Sequence, residues 1–403
     1  MVKKDQIDYD VVIVGGGMVG GSLALALSRS ELRVAVIEAK PFSEKQAEGA
    51  GKRAIALSWG SRCILQQLNL WGALIESAMP IEHIHVSDKG HFGKTRLSAK
   101  SQSVGALGYV VEAAQIEKIV SEELTTNHVE NICPAKLIGY QRKHDGVELT
   151  TQVDDKEKRL RCRILVGADG GMSQVRSKGS FDLFEHAYGQ HAITGLLRVE
   201  SEAQDIAYER FTADGPIAML PHFDNLYSLV WTMPSSLSED VIKLSDEEFT
   251  ARLQGKFGYW LGELKLVGNR QRFPLSLSHV KESASDRVVL IGNAAHQLHP
   301  VAGQGFNLGL RDAVALADVL MTSQEGVGEE GLLQKYNEQR KTDQALITGF
   351  TDNIVKLFSN DNAALSLLRN SGLLVLDKVP MFKKQFALQT MGLGTRLARL
   401  KVG

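Results

Sequence analysis

Three glycines, Gly15, Gly17 and Gly20, stand in the spacing GxGxxG, and an acid, Glu38, lies 23 positions after the first of them. That set of residues can hold a dinucleotide. The first glycine permits a tight turn, the second lets backbone approach a pyrophosphate, and the third allows a helix to pack closely on a strand. The free N–H groups and positive dipole at the start of the following helix attract the anion. Glu38 would accept hydrogen bonds from ribose hydroxyls and disfavours a 2′-phosphate, so the nucleotide is FAD or NAD rather than NADP. The elements that must position these residues flank them directly. Tyr9–Val14 is short and β-branched, as a buried parallel strand is; Met18–Ser28 has a helical apolar pattern; Arg33–Glu38 reads as a second strand.

Two further strand-then-turn segments occur. Arg163–Val166 runs into Gly167-Ala168-Asp169-Gly170 and on to Arg176. Arg287–Ile291 runs into Gly292-Asn293, then His296, His299, Pro300, Gly303 and Gly305, ahead of a helical stretch from Leu310 to Met321. His296 and His299 have the chemistry of proton acceptors, and equally that of structural hydrogen-bonding groups. Arg176 reads either as a contact to a nicotinamide nucleotide or as a structural ion pair.

With these three motifs in order, the chain resembles the FAD-dependent aromatic hydroxylases over essentially its whole length. Lys52–Leu57, Leu107–Glu112, Gly303–Gly309 and Arg311-Asp312 are similar to the ubiquinone-biosynthesis members of that family, nearest to the branch acting on 2-polyprenyl-6-methoxyphenol. One departure is Gly292-Asn293, where the family usually has Gly-Asp; Asn keeps an acceptor oxygen but drops the charge, and that same branch looks like one that carries Asn. The resemblance implies an α/β fold: a Rossmann-like FAD-binding domain of the aromatic-hydroxylase type, an inserted substrate-binding β-sheet domain and C-terminal helices. The expected divisions are residues 1–179 and 281–345 for the FAD-binding domain, 180–280 for the substrate sheet and 346–403 for the helical region.

The resemblance also assigns roles. Gly15, Gly17, Gly20 and Glu38 would hold the ADP half of FAD, Arg53 and Gln115 its pyrophosphate or ribityl region, and Asp169 its ribose. Gly292 and Asn293 would meet the ribityl chain. Gly303, Gly305, Phe306 and Asn307 would lie against the flavin ring, where backbone N–H groups stabilise negative charge. The Pro300 carbonyl would lie near the reacting ring carbons; no side-chain base is assigned. Reducing equivalents would come from NAD(P)H, NADPH ahead of NADH, and oxygen from O2 by way of a flavin hydroperoxide. The implied substrate is a prenylated phenol, hydroxylated to the 1,4-benzoquinol. A sister enzyme acting at another ring position and a non-catalytic FAD-binding subunit are the alternatives.

Between residues 180 and 280 the pattern shifts to short strands: Ala192–Val199, Ala207–Phe211, Ile217–Leu220 and Leu226–Thr232. Phe211, Leu220, Trp231 and Phe273 are the candidate lining of an oily pocket. After Asn362 the chain reads as leucine-rich helix, broken at Gly372 and Pro380.

Composition bounds the rest. A net charge of -1 across 403 residues excludes a general nucleic-acid binder. Cys63, Cys133 and Cys162 form no CxxC pair, so no disulfide framework or zinc site is expected, and the thiols suit a reducing cytoplasm. No run of 18 apolar residues occurs. The charge is unevenly placed, however: residues 363–403 carry +6 and the remainder -7. With Met381-Phe382 beside Lys383-Lys384, this tail suits peripheral contact with the inner face of an anionic membrane; the resemblance also implies assembly with other proteins of ubiquinone biosynthesis.

Overall fold

The structure, a computed structural model, describes residues 6–41, 43–44, 53–202, 204–323, 326–329, 331–358 and 363–394, apart from the side chains of residues 302 and 355–369. The β-branched run Tyr9–Val14 forms the centre of an eight-stranded sheet, parallel on one side to Lys156–Gly167 and on the other to Val34–Ile37. Val288–Leu290 and Glu130–Ile132 extend the parallel part. Three of its strands therefore end on the three glycine-rich turns, side by side at one edge, which is where ligands bind open parallel sheets. Helices Met18–Leu27, Ala113–Thr126 and Gln304–Met321 cover one face and bury a continuous apolar core with it.

A second eight-stranded sheet is almost wholly antiparallel. Leu183–Arg198, Ile206–Phe211, Ile217–His222 and Leu226–Pro234 match the expected strands and run somewhat longer. Three strands come from outside the expected insertion: His83–Asp88 pairs in parallel with Ile206–Phe211, Lys94–Ser98 forms one edge, and His296–Gln297 forms the other. The substrate sheet is thus not confined to residues 180–280: it recruits residues 83–98 from the first segment and 296–297 from the later one. Helix Asp246–Phe257, started by a Ser245/Glu248 capping box, packs on one face of this sheet. The other face looks toward the glycine-rich turns.

Gly372 does not break the C-terminal helix, which runs unbroken over Ala363–Lys378. A Cβ at Gly372 would meet nothing, so no packing demand singles out the position. Pro380 begins the next helix, Pro380–Thr390, at its first turn, where its missing N–H costs nothing. Asn370 pins the longer helix to the sheet edge: its side chain accepts the Gly93 N–H at 2.8 Å and donates to Asp88 at 3.1 Å. Lys52, Arg396, Arg399, Lys401 and the side chain of Arg369 lie outside the described residues. Of the remaining tail cations, Lys383 pairs with Asp377 at 3.0 Å, while Met381 is 69% and Phe382 48% exposed.

Candidate active site

The glycines of the first turn divide by what surrounds them. A Cβ on Gly15 would fall 2.5 Å from the Ala168 carbonyl oxygen, and one on Gly20 would strike the carbonyl of Gly15. Protein packing forces both. A Cβ on Gly17 would meet nothing within 4 Å, and the same holds for Gly170 in the second turn and Gly305 in the third. All three line one large cavity, so a ligand there can approach the backbone of each turn closely. Glu38 holds the first turn in shape: Gly16 N–H donates to its Oε2 at 2.8 Å and Lys40 N–H to its Oε1 at 3.0 Å.

In the second turn, Ser173 donates to Asp169 Oδ1 at 2.5 Å and the Gln174 N–H to Oδ2 at 2.6 Å. Asp169 thereby orders the turn, and its neighbours Ala168 and Gly170 reach the cavity wall. Arg176 donates to the carbonyls of Ala294 (2.9 Å) and Gly171 (2.5 Å). It ties the second turn to the third and makes no ion pair among the described residues.

The third turn leads into helix Gln304–Met321 through Gly303, whose φ of +60° needs glycine. Asn307 staples the helix start to strand Ala54–Ser58, accepting the Ser58 N–H at 2.9 Å and donating to the Ala56 carbonyl at 2.8 Å. Its side chain is spent on the fold, which leaves the first-turn backbone N–H groups to face a ligand. Gly303, Gly305, Phe306, Asn307, Asn293 and Pro300 all line the cavity. The Pro300 carbonyl accepts the Gly303 N–H at 3.0 Å, closing the loop. Gly292, by contrast, is set by packing against Val19, and its N–H donates to Asp312.

Behind this turn lies a buried polar network. Asp312 accepts from His296 Nε2 at 2.5 Å, Arg340 Nε at 2.8 Å and Gln344 at 3.1 Å. Asp343 in turn binds Arg340 at 2.7 Å and Arg311 at 2.8 Å. Burial alone would raise the Asp312 carboxyl, but the charges and hydrogen bonds of His296 and Arg340 outweigh it and hold the group well below the usual range. His296 is accordingly a structural hydrogen-bonding group. His299 does line the cavity; its Nδ1 accepts the Val301 N–H at 3.2 Å, and burial lowers its pKa to about 4. The neutral ring then carries its proton on Nε2 and is a donor, not a base.

The cavity holds about 1490 Å3, well above the roughly 300–1,000 Å3 of a single-ligand site. It runs from the three turns to the inner face of the second sheet and is large enough for a dinucleotide and a second molecule together. Arg53 stands on its wall, exposed. Gln115 does not: it sits half-buried in the first turn of helix Ala113–Thr126, and Glu112 just before it faces the cavity instead. Phe211, Leu220 and Phe273 line the sheet end as expected. Trp231 is a correction. It is 1% exposed and packs on Phe249 of helix Asp246–Phe257, on the opposite face of the sheet. Side chains alternate along a strand, so Val230 faces the cavity and its neighbour cannot.

Sequence reasoning missed two titratable groups on the sheet end, Glu209 and His222, and the apolar contribution of Phe350, Leu376 and Phe386 from the last helices. The signal for Glu209 was present: its strand-mates on the same face are Ala207 and Phe211, so an acid there stands on an apolar face. Among the described residues no group of His, Cys, Asp and Glu could hold a metal ion.

A family profile described as "FAD binding domain" matches residues 8–351. The chain is 36% identical to "Ubiquinone hydroxylase UbiL" of Rhodospirillum rubrum over 98% of its length and 92% of the relative. It is 30% identical to "3-demethoxyubiquinol 3-hydroxylase" of Escherichia coli, covering 95% and 98%. The solved structure of p-nitrophenol 4-monooxygenase PnpA from Pseudomonas putida superposes with a TM-score of 0.79 at 19% identity, over 97% of this chain and all of that one; at this identity it shows the fold.

Proposed function

The chain belongs to the FAD-dependent aromatic hydroxylases, among those of ubiquinone biosynthesis, and on that premise we propose that it hydroxylates 2-polyprenyl-6-methoxyphenol to 2-polyprenyl-6-methoxy-1,4-benzoquinol with NAD(P)H and O2. The observation that carries this reading is the single cavity that joins three open glycine turns to an apolar sheet wall.

FAD suits the residues present, since Gly17, Gly170 and Gly305 line one cavity and a Cβ at each would meet no described atom within 4 Å. The turn held by Glu38 would take the ADP half, Arg53 the pyrophosphate, and Asn293 the ribityl chain. When bound, FAD supplies the redox chemistry, taking a hydride from NAD(P)H and activating O2. The chain's own residues do the rest. The first-turn N–H groups of helix Gln304–Met321 offer positive potential to a negatively charged ring edge. Phe211, Leu220 and Phe273 exclude water and orient an aromatic guest.

The prenyl tail has an exit in this reading. The cavity wall includes Phe350, Gly372, Leu376 and Phe386, and a shallow outer groove of about 410 Å3 shares those residues and adds Val375 and Phe382. An apolar chain leaving there would emerge beside exposed Met381 and Lys384, which supports peripheral contact with an anionic membrane. No helix among the described residues is long and apolar enough to cross one. Equal liposome flotation of the full chain and of a chain ending at Asn362 would remove the membrane part of the reading.

Hydroxylation at another ring position of the same pathway is the second reading. The E. coli relative's name places its activity at position 3, at nearly full-length coverage. Supplying the purified holoprotein separately with each ring precursor and identifying the products by mass spectrometry separates the two. A phenol left unchanged, with NADPH oxidised to give stoichiometric H2O2, would sink the first.

A further inference from the structure

Glu209 lies in the middle of strand Ile206–Phe211, between Val86 of one neighbouring strand and Ala218 of the other. The row continues through Val230 and Thr194, so the carboxylate stands on the cavity face of the sheet among apolar and hydroxyl groups. It makes no hydrogen bond or ion pair with any described residue. An acid held without a partner against a mostly apolar wall is costly to the fold. Such a group is retained where something else supplies the donor. The adjacent Arg210 does not: it turns to the other face, donating to the Lys256 carbonyl and Ser87 and stacking over Trp260 at 4.5 Å.

We propose that Glu209 is the catalytic base that accepts the proton of the substrate's phenol hydroxyl. This rests on the aromatic-hydroxylase reading above and names a residue for a step that reading leaves unassigned. The phenol O–H bond breaks, its proton forms a new O–H bond on the Glu209 carboxylate, and the electron pair stays on the substrate oxygen. That charge enriches the ring carbon para to it. Once that carbon has gained an oxygen atom from O2 in the reaction proposed above, it gives up its own hydrogen as a proton to water, the electron pair of that C–H bond makes the ring aromatic again, and Glu209 returns its proton to the oxygen it came from. The residue finishes as it began.

The other titratable groups on the cavity wall are Arg53, Glu112, Tyr208, His222 and His299. His299 is a donor, as argued above. His222 is the rival base; burial lowers its pKa, with the Glu112 charge pulling partly back. Burial instead pushes the Glu209 carboxyl up to about 7, which is closer to the range in which a general base works at neutral pH.

The test compares wild type, Glu209→Gln and His222→Gln as FAD-loaded proteins, with 2-methoxyphenol as the binding probe. In wild type the probe's Kd should weaken roughly tenfold between about pH 8 and about pH 6, as the carboxylate that accepts its hydroxyl is protonated. The Gln variant at 209 should bind with no such pH dependence and lose roughly a hundredfold or more in kcat. His222→Gln should keep the wild-type pH dependence. A third variant, Glu209→Leu, should raise Tm, because an unpartnered acid is removed; a structural role predicts a fall. Retention of the pH-dependent Kd in Glu209→Gln, or its loss in His222→Gln, overturns the proposal. Either result leaves phenol hydroxylation by wild type intact, so the two readings fail separately.

Discussion

The region behind the third glycine turn and the wall of the cavity contain the same kinds of residue in opposite circumstances. Asp312 is surrounded by His296, Arg340, Gln344 and the Gly292 N–H; Glu209 has no described partner. Gly20 is a glycine because the Gly15 carbonyl fills the space a Cβ would need; Gly17 has empty space there. Trp231 is packed on protein from all sides, whereas Phe273 remains 44% exposed. The first set completes the fold. The second set is incomplete until ligands arrive, and that incompleteness marks the site.

The comparison is broken or sharpened by substitution on each side. Asp312→Ala should have the largest effect, about 3–5 kcal/mol of destabilisation in urea unfolding, because it takes the shared buried acceptor from His296, Arg340, Gln344 and the Gly292 N–H and leaves the Arg340 charge only Asp343. The sign with pH follows from its depressed carboxyl: its contribution is complete at neutral pH and is lost only as pH falls below about 4, toward the folded-state pKa. Wild type and Asp312→Ala should therefore converge in stability on strong acidification. Trp231→Ala should cost about 3–5 kcal/mol with KM for the phenol nearly unchanged in whatever protein folds. Phe273→Ala should do the reverse, holding Tm within a degree or two while raising KM roughly tenfold. Gly17→Ala should leave apoprotein Tm unchanged and weaken FAD about tenfold in fluorescence titration, while Gly20→Ala should destabilise the apoprotein by about 1–3 kcal/mol. Equal losses of stability from Gly17→Ala and Gly20→Ala would erase the distinction between the two regions.

Legibility in the sequence divides along the same line. The turns could be read because their spacing is local: Gly15, Gly17, Gly20 and Glu38 lie within one strand–helix–strand unit, and Gly303 and Gly305 within one loop. The strands of the second sheet could be read from alternation. What escaped depends on distant chain. Trp231 and Val230 are one residue apart, and only the placement of helix Asp246–Phe257 decides which of them faces the cavity. The recruitment of His83–Ser98 into the second sheet is a pairing across more than a hundred residues and leaves no local mark. Glu209 carries a local mark, an acid between Ala207 and Phe211 on one strand face, but only its row partners show that this face lines the cavity, and Gln115, assigned by resemblance, gives way on the wall to Glu112.

The most direct measurement supplies the FAD-loaded protein with NADPH, oxygen-18 gas and 2-polyprenyl-6-methoxyphenol, and analyses the ring product by mass spectrometry. The account predicts the 1,4-benzoquinol carrying one heavy oxygen atom per NADPH consumed. Recovery of unmodified phenol, with the heavy oxygen appearing as H2O2 in proportion to NADPH oxidised, would contradict it.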